Sequence, residues 1–483
     1  MYTFMAGIAL LVVGYFTYGK IVERIFGVNE QRQTPAYSHS DGVDYLPMNK
    51  KKNMLIQLLN IAGVGPIFGP IMGALYGPVA FIWIVVGCIF AGAVHDYLTG
   101  MISIRNRGAH LPELAGKFLG NGMKHVVNAF AILLLLLVGT VFVTSPAALL
   151  HNLMDGAVGL GVILGAIFIY YLLATFLPID KIIGKLYPAF GALLLISAVG
   201  VGVMLLVTGA PIPELTLTNM HPASAPIFPL LFLTISCGAL SGFHATQTPI
   251  ISRTTQNERH GRKIFYGMMI AEGVIAMIWA AAAMSLFQGP VGLNELLASG
   301  GPAAVVSEAS GLLLGAIGGT LAVLGVIVLP ITSGDTAFRS ARMIIADYLK
   351  VPQKKLLNRI WIALPLFVVS FALTKIDFTI LWRYFSWANQ STAVIALWVG
   401  AMYLFVAKKN YWIAMIPGIF MTMATMTYIL NAGIGFGLSL NVSYIGAVIV
   451  TLAVIALFYR SAVKARANEM PIDLPMKDWE QAA

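Results

Sequence analysis

Three carboxylates and one imidazole stand where water is scarce. Asp96 and Glu272 lie inside long apolar runs, and Asp335 sits near the cytoplasmic end of another. An isolated carboxylate in hydrocarbon is costly, so each must face protein or a wet cavity. A carboxylate held that way is suited to taking up and releasing a proton. Asp96 has His95 beside it, with Arg105 and Arg107 more than two turns away as alternative partners, and Asp335 has Arg339 one turn later. Thr332 and Ser333 adjoin each other, and Thr336 lies one turn beyond on the same face. Two hydroxyls joined by helix carbonyls from the Gly63 region make a shell for a hard cation such as sodium. Ordinary bonding of the hydroxyls to their own helix is the alternative.

These groups need interrupted helices to meet them. The run Asn60-Ile-Ala-Gly-Val-Gly-Pro-Ile-Phe-Gly-Pro-Ile-Met-Gly73 carries four glycines and two prolines inside an apolar span. Such residues disfavour a helix interior, and freed backbone groups survive in hydrocarbon only where protein or a wet cavity surrounds them. A second interruption is Ser236-Cys-Gly-Ala-Leu-Ser-Gly-Phe-His-Ala-Thr-Gln-Thr-Pro249. A broken helix offers carbonyls at one half-helix end and amide donors at the other. In the first break Gly63 and Gly65 offer carbonyls, Pro66 belongs to the expected substrate site, and the outer half begins near Ile67–Phe68 with donors for a carboxylate. In the second, Gly238 to Gly242 form the break, and Phe243 and His244 begin the inner half, with Gln247 one turn on. A small carboxylate substrate is expected between the two breaks. Glycine pairs such as Gly69 and Gly73 also suit close helix packing.

Composition sets the solvent. Of 483 residues 58% are hydrophobic and 10% charged, with mean hydropathy +0.83, against roughly 25% charged in soluble domains. Thirteen apolar segments, each long enough to cross a bilayer, are expected at 2–24, 54–75, 78–103, 125–149, 157–178, 187–208, 227–250, 264–287, 312–337, 357–374, 379–406, 411–431 and 440–460. With the N-terminus outside, 28 of the 30 Lys and Arg residues fall at cytoplasmic ends and loops, and only Lys375 and Arg383 fall outside. The formal charge of +10 therefore reports topology, and no nucleic acid partner is expected. Cys88 and Cys237, both in apolar runs, read as buried free thiols.

An odd number of spans per set inverts the second set relative to the first. The expected fold is therefore an all-α polytopic membrane protein with a five-plus-five inverted-repeat core, like that of the LeuT transporter. An extra helix at 1–26 and a cytoplasmic loop at 27–53 precede the repeats at 54–208 and 227–406. Two further helices at 411–460 and a cytoplasmic tail at 461–483 follow them.

Gly63-Val-Gly-Pro-Ile-Phe-Gly-Pro70, Phe90-Ala-Gly-Ala-Val-His-Asp-Tyr97, Ser103-Ile-Arg-Asn-Arg-Gly108 and Cys237-Gly-Ala-Leu-Ser-Gly-Phe-His244 resemble the carbon starvation protein A family, in a short form. That family is related to the amino acid–polyamine–organocation transporters. The resemblance implies uptake of peptides or of pyruvate with protons, across a bacterial plasma membrane, during carbon starvation. It also implies that the paired hydroxyls Thr332 and Ser333 match a sodium position of the related superfamily. The expectation is a secondary transporter for a small carboxylate, with no cofactor, coupled to protons in preference to sodium. Asp96, Glu272 and Asp335 are the expected proton carriers. An ion channel or a membrane-embedded enzyme is the alternative, although no zinc-protease, nucleophile-elbow or phosphate-loop motif occurs.

Overall fold

A computed structural model of the chain describes residues 1–42, 44–176, 179–353 and 355–473. Lys354, residues 177–178 of the segment 157–178, and tail residues 474–483 with Lys477 lie outside the described residues, as do the side chains of Lys181 and Lys185. In chain order the helices are α1 (Tyr2–Phe26), α2 (Lys50–Ala62), α3 (Gly65–Gly73), α4 (Val79–Arg105), α5 (Leu111–Leu119), α6 (Asn121–Leu153), α7 (Leu160–Phe176) and α8 (Ile179–Val207). They continue as α9 (Ile227–Thr234), α10 (Gly242–Ser252), α11 (Glu258–Leu286), α12 (Gly289–Leu349), α13 (Leu356–Leu373), α14 (Phe378–Val406), α15 (Trp412–Asn431) and α16 (Leu440–Ala467). Among the described residues there is no strand, only an isolated bridge between Met48 and Thr255. Hydrocarbon selects this: a helix satisfies its own backbone, an open sheet does not. Nine of the described helices are long and apolar enough to cross a membrane, or ten if the bent pair around Gly63 counts as one span.

Two boundaries differ from the pattern read in the sequence. Helix α2 starts at Lys50 rather than 54, because the Asn49 side chain caps it by accepting the Lys51 amide at 2.8 Å. The stretch between the segments 264–287 and 312–337 is helical rather than a loop. It bends where Gly301 and Gly315 take φ of 65° and 67°, a left-handed conformation natural to glycine.

The two ends of the molecule are fastened differently. At one end the N-terminal amine donates to Glu214 at 2.6 Å and to the Ile212 carbonyl at 2.8 Å, which ties α1 to the proline-rich connection 209–226. At the other, Arg105 makes a two-pronged pair with buried Glu258, at 3.0 and 2.8 Å, and donates to Tyr403 at 2.9 Å. Asp473 accepts there from Tyr403 at 2.9 Å and from Arg32 at 3.0 Å. The groups at each end are ones the charge pattern puts on one side of the membrane.

Candidate functional site

Both interruptions exist, and each has a physical cause. Helix α2 stops at Gly63, whose φ of 49° and ψ of −149° leave the helical region, and α3 sets off at 45° to α2. Pro66 sits in the first turn of α3, where a missing amide does no harm. The outer half therefore begins at Gly65. The Ile67 and Phe68 amides, expected to be free for a carboxylate, both donate to the Val64 carbonyl, at 3.1 and 2.8 Å. The second break runs from Ile235 to Ser241, with Gly238 at φ 89°. Its loose backbone groups are taken up from neighbouring helices. Trp83 donates to the Ile235 carbonyl at 2.9 Å, Gln390 to the Leu240 carbonyl at 3.0 Å, and Asn389 Oδ1 accepts the Phe243 amide at 2.6 Å. The donor expected at Phe243 is thus occupied.

The two breaks press against each other. A methyl added at Gly65 would lie 2.3 Å from both Cβ and Sγ of Cys237. One at Gly238 would lie 2.4 Å from the Ala276 methyl, and one at Gly242 2.1 Å from the Asn389 carbonyl. Gly69 and Gly73 meet Thr234 and Ile235 in the same way. Where a substrate was expected between Gly65 and Cys237, the helices are in contact. Cavities lie on either side of this seal. One of about 490 Å³ is lined by Phe68, Ser145, Gly301 and Phe378, and one of about 690 Å³ by Asp44, Glu113, Arg253 and Asp347 at the opposite end. Below the first break, Gln57 and Asn60 of α2 are wholly buried, and neither amide has a hydrogen-bond partner among the described residues.

Three of the predicted polar residues converge on the second break. Asp96 of α4 holds His95 Nδ1 on Oδ1 at 2.8 Å and His244 Nδ1 on Oδ2 at 2.9 Å. The other imidazole nitrogen of His244 stands 3.3 Å from Glu272 Oε2 of α11. Glu272 Oε1 accepts the Gly238 amide at 3.1 Å. The chain His95–Asp96–His244–Glu272–Gly238 thus links α4, α10 and α11 to unwound backbone, and the four side chains are fully buried. An imidazole between two carboxylates can carry a proton from one to the other, because each ring nitrogen faces an acceptor. Arg105, considered as a partner for Asp96, is engaged with Glu258 instead. One ligand atom each of Cys237, His244 and Glu272 lies within 4.8 Å of the others, close enough to take a metal ion. His244 Nε2 and Glu272 Oε2 stand at ion-pair distance, and neither makes a hydrogen bond among the described residues.

The hydroxyl pair lies elsewhere. Ser333 donates to the Leu59 carbonyl of α2 at 2.6 Å, one turn before Gly63, while Thr332 bonds the Leu329 carbonyl and Thr336 the Ser333 carbonyl. Gly63 itself faces the Phe142 ring. Asp335 is buried, and its Oδ2 has no hydrogen-bond partner among the described residues. Gln247 donates to Thr246 and Ser340, at 3.0 and 3.3 Å. Sequence reasoning missed Asn389 and Gln390, although two amides in mid-span were the available signal. It also missed Trp83, whose role depends on a contact no pattern announces.

Outside the spans, burial pushes the Lys117 ammonium down to about 8. Burial likewise raises the Glu113 carboxyl, which faces the larger cavity, above the usual range.

The profile described as "Carbon starvation protein CstA" matches residues 1–160, 160–295 and 286–428. The chain is similar to an uncharacterized membrane protein of Haemophilus influenzae, 49% identical over 62% of this chain and 95% of that one. It is similar to the peptide transporter CstA of Escherichia coli, 26% identical over 88% of this chain and 80% of that one. It is also similar to the pyruvate/proton symporter BtsT of Escherichia coli, 27% identical over 59% of this chain and 49% of that one. In fold it is similar to a crystal structure of the Eremococcus coleocola manganese transporter, at TM-score 0.57 and 13% identity, covering 89% of this chain and 99% of that one. The family match covers most of the sequence: this chain belongs to the carbon starvation protein CstA family.

Proposed function

We propose that the chain is a secondary active transporter that takes up a small carboxylate nutrient, pyruvate or a short peptide, across the bacterial plasma membrane, driven by protons. The observation that carries this reading is the buried chain from Asp96 through His244 to Glu272, which ends on the Gly238 amide of the second break. Protonation there bears directly on the backbone that must rearrange in alternating access. The names of relatives, a peptide transporter and a pyruvate/proton symporter, support the substrate class and the coupling ion, and speak against an enzyme.

In this reading the breaks are packed shut between an outer cavity at Phe68 and an inner one at Arg253. Opening separates Gly65 from Cys237 and exposes Gln57 and Asn60 to the substrate carboxylate. The fold is the five-plus-five inverted repeat with one helix before it and two after, thirteen spans in all. The N-terminus is outside and the C-terminus in the cytoplasm, as the basic residues direct. Uptake serves the carbon starvation response that gives the family its name.

Sodium coupling has one observation of its own, the 2.6 Å bond from Ser333 to Leu59, which joins the hydroxyl pair to the first broken helix. Proteoliposomes separate the two. A pH gradient without sodium is expected to accumulate substrate, with accumulation abolished by an uncoupler. Accumulation only with a sodium gradient, lost in Ser333→Ala, would reverse the assignment. A panel of pyruvate, lactate, amino acids and dipeptides in counterflow identifies the cargo. Conduction without saturable counterflow would instead indicate a channel.

A further inference from the structure

Helices α14, α15 and α16, with Leu119 of α5 and Met123 of α6, enclose a groove of about 370 Å³ that the transport reading does not use. Its walls are mostly apolar. Trp398 donates to Thr422 at 3.1 Å, and Thr422 donates to the Gly418 carbonyl at 2.6 Å, so neither offers a free polar atom. The remaining lining includes Met426, Val450, Val454 and Leu457. The groove is open at the surface, since Val450 is 37% and Leu457 61% exposed.

The sequence of α16 gives this groove a direction. Val450, Val454, Leu457 and Ser461 line it, at alternating steps of four and three that keep one helix face. The next position on that face is Lys464, which is exposed, and Arg460 precedes Ser461. From Val450 to Ser461 the helix rises about 17 Å, close to the roughly 15 Å of hydrocarbon in one leaflet. An apolar slot about as deep as one leaflet, with a cation one step further along the same helix face, matches one kind of molecule in both respects.

We propose that this groove binds an acyl chain of an anionic phospholipid whose phosphate is held by Lys464. A neutral lipid would fill the apolar part without using the charge, and a free phosphate would use the charge without the slot. One basic side chain near a membrane surface favours an anionic headgroup about fivefold.

The test uses the full chain in nanodiscs of phosphatidylcholine mixed with phosphatidylglycerol, released into native mass spectrometry. Phosphatidylglycerol is expected to be retained about fivefold over phosphatidylcholine. Lys464→Glu is expected to remove that preference, Val454→Trp to exclude both lipids by filling the slot, and Lys375→Glu to change nothing. In the unsubstituted chain, phosphatidylglycerol brominated on its acyl chains is expected to quench Trp398 more than brominated phosphatidylcholine does. Trp398→Phe identifies that signal, which keeps the test open if Val454→Trp fails to fold. Equal retention of the two lipids, or a preference unchanged by Lys464→Glu, overturns the assignment.

Discussion

Replacing Asp96 with asparagine keeps the shape of the buried chain and removes its central charge. Asp96 joins two imidazoles, at 2.8 and 2.9 Å, and through His244 reaches Glu272 at 3.3 Å. Asparagine can accept from one histidine but presents an amide donor to the other, so proton passage through this point ends. The lost charge-assisted bond costs about 1.5–3 kcal/mol, which lowers the yield of folded protein without abolishing it. The effect on transport follows from the driving force. One proton per substrate and a gradient of one pH unit supply about 1.4 kcal/mol, which sustains about tenfold accumulation. Asp96→Asn proteoliposomes under that gradient are expected to equilibrate substrate without concentrating it, while substrate counterflow continues. Size-exclusion elution checks that the variant is folded. About tenfold accumulation in Asp96→Asn would refute the relay, and loss of counterflow as well would make Asp96 a substrate or structural residue.

Arg105→Ala removes the two-pronged partner of Glu258 and leaves it Arg32 at 3.4 Å; it is expected to cost about 1.5–3 kcal/mol, read as a fall in melting temperature in detergent. Gly65→Ala sets a methyl 2.3 Å from Cys237 Cβ, so uptake should be lost and partly restored by Cys237→Gly in the same chain; absence of rescue would separate the two breaks. Because burial holds Lys117 near 8 in the folded state against 10.5 unfolded, the unfolded chain binds more protons between those values. Stability attributable to this group therefore rises with pH across that window, and Lys117→Met should remove that slope from the melting curve. Cysteines placed at Asn219 and Ser299 should react with an impermeant reagent in intact cells, while ones at Lys181 and Gln353 should be protected; the reverse would invert the topology.

Membrane character, the two breaks and the buried carboxylates were legible because each violates a rule of hydrocarbon. Glycine and proline in mid-span, or Asp96 and Glu272 inside apolar runs, require compensation, and the requirement shows in the sequence. What compensates them did not show. Asp96 and His244 are separated by most of one repeat, and only the folded arrangement of α4 and α10 brings them to 2.9 Å. A substrate was expected between the two breaks, yet the absence of a side chain at Gly65 serves contact with Cys237. Backbone freedom and close approach are written with the same residue. The amides of Ile67, Phe68 and Phe243, expected as donors, are taken up locally: a carbonyl three or four residues back, or a side-chain amide of another helix, accepts them.

The contact of Glu272 with Gly238 ties the chemistry to the motion on the proposed reading. As an anion, Glu272 accepts the Gly238 amide through Oε1 and faces His244 through Oε2. A proton on Glu272 weakens both interactions, because a neutral carboxyl is a poorer acceptor and no longer draws an imidazolium. Gly238 at φ 89° can then rotate without the clash that a side chain would impose. Its neighbour Cys237 is the residue that seals Gly65. A proton taken by Glu272 therefore loosens the backbone next to the seal between the breaks, and its departure restores it. Glu272→Gln imitates the protonated state permanently. It should raise the reactivity of Cys237 toward a small thiol reagent while ending pH-driven accumulation. Unchanged reactivity with accumulation lost would place Glu272 on the proton path but outside the mechanism that opens the seal.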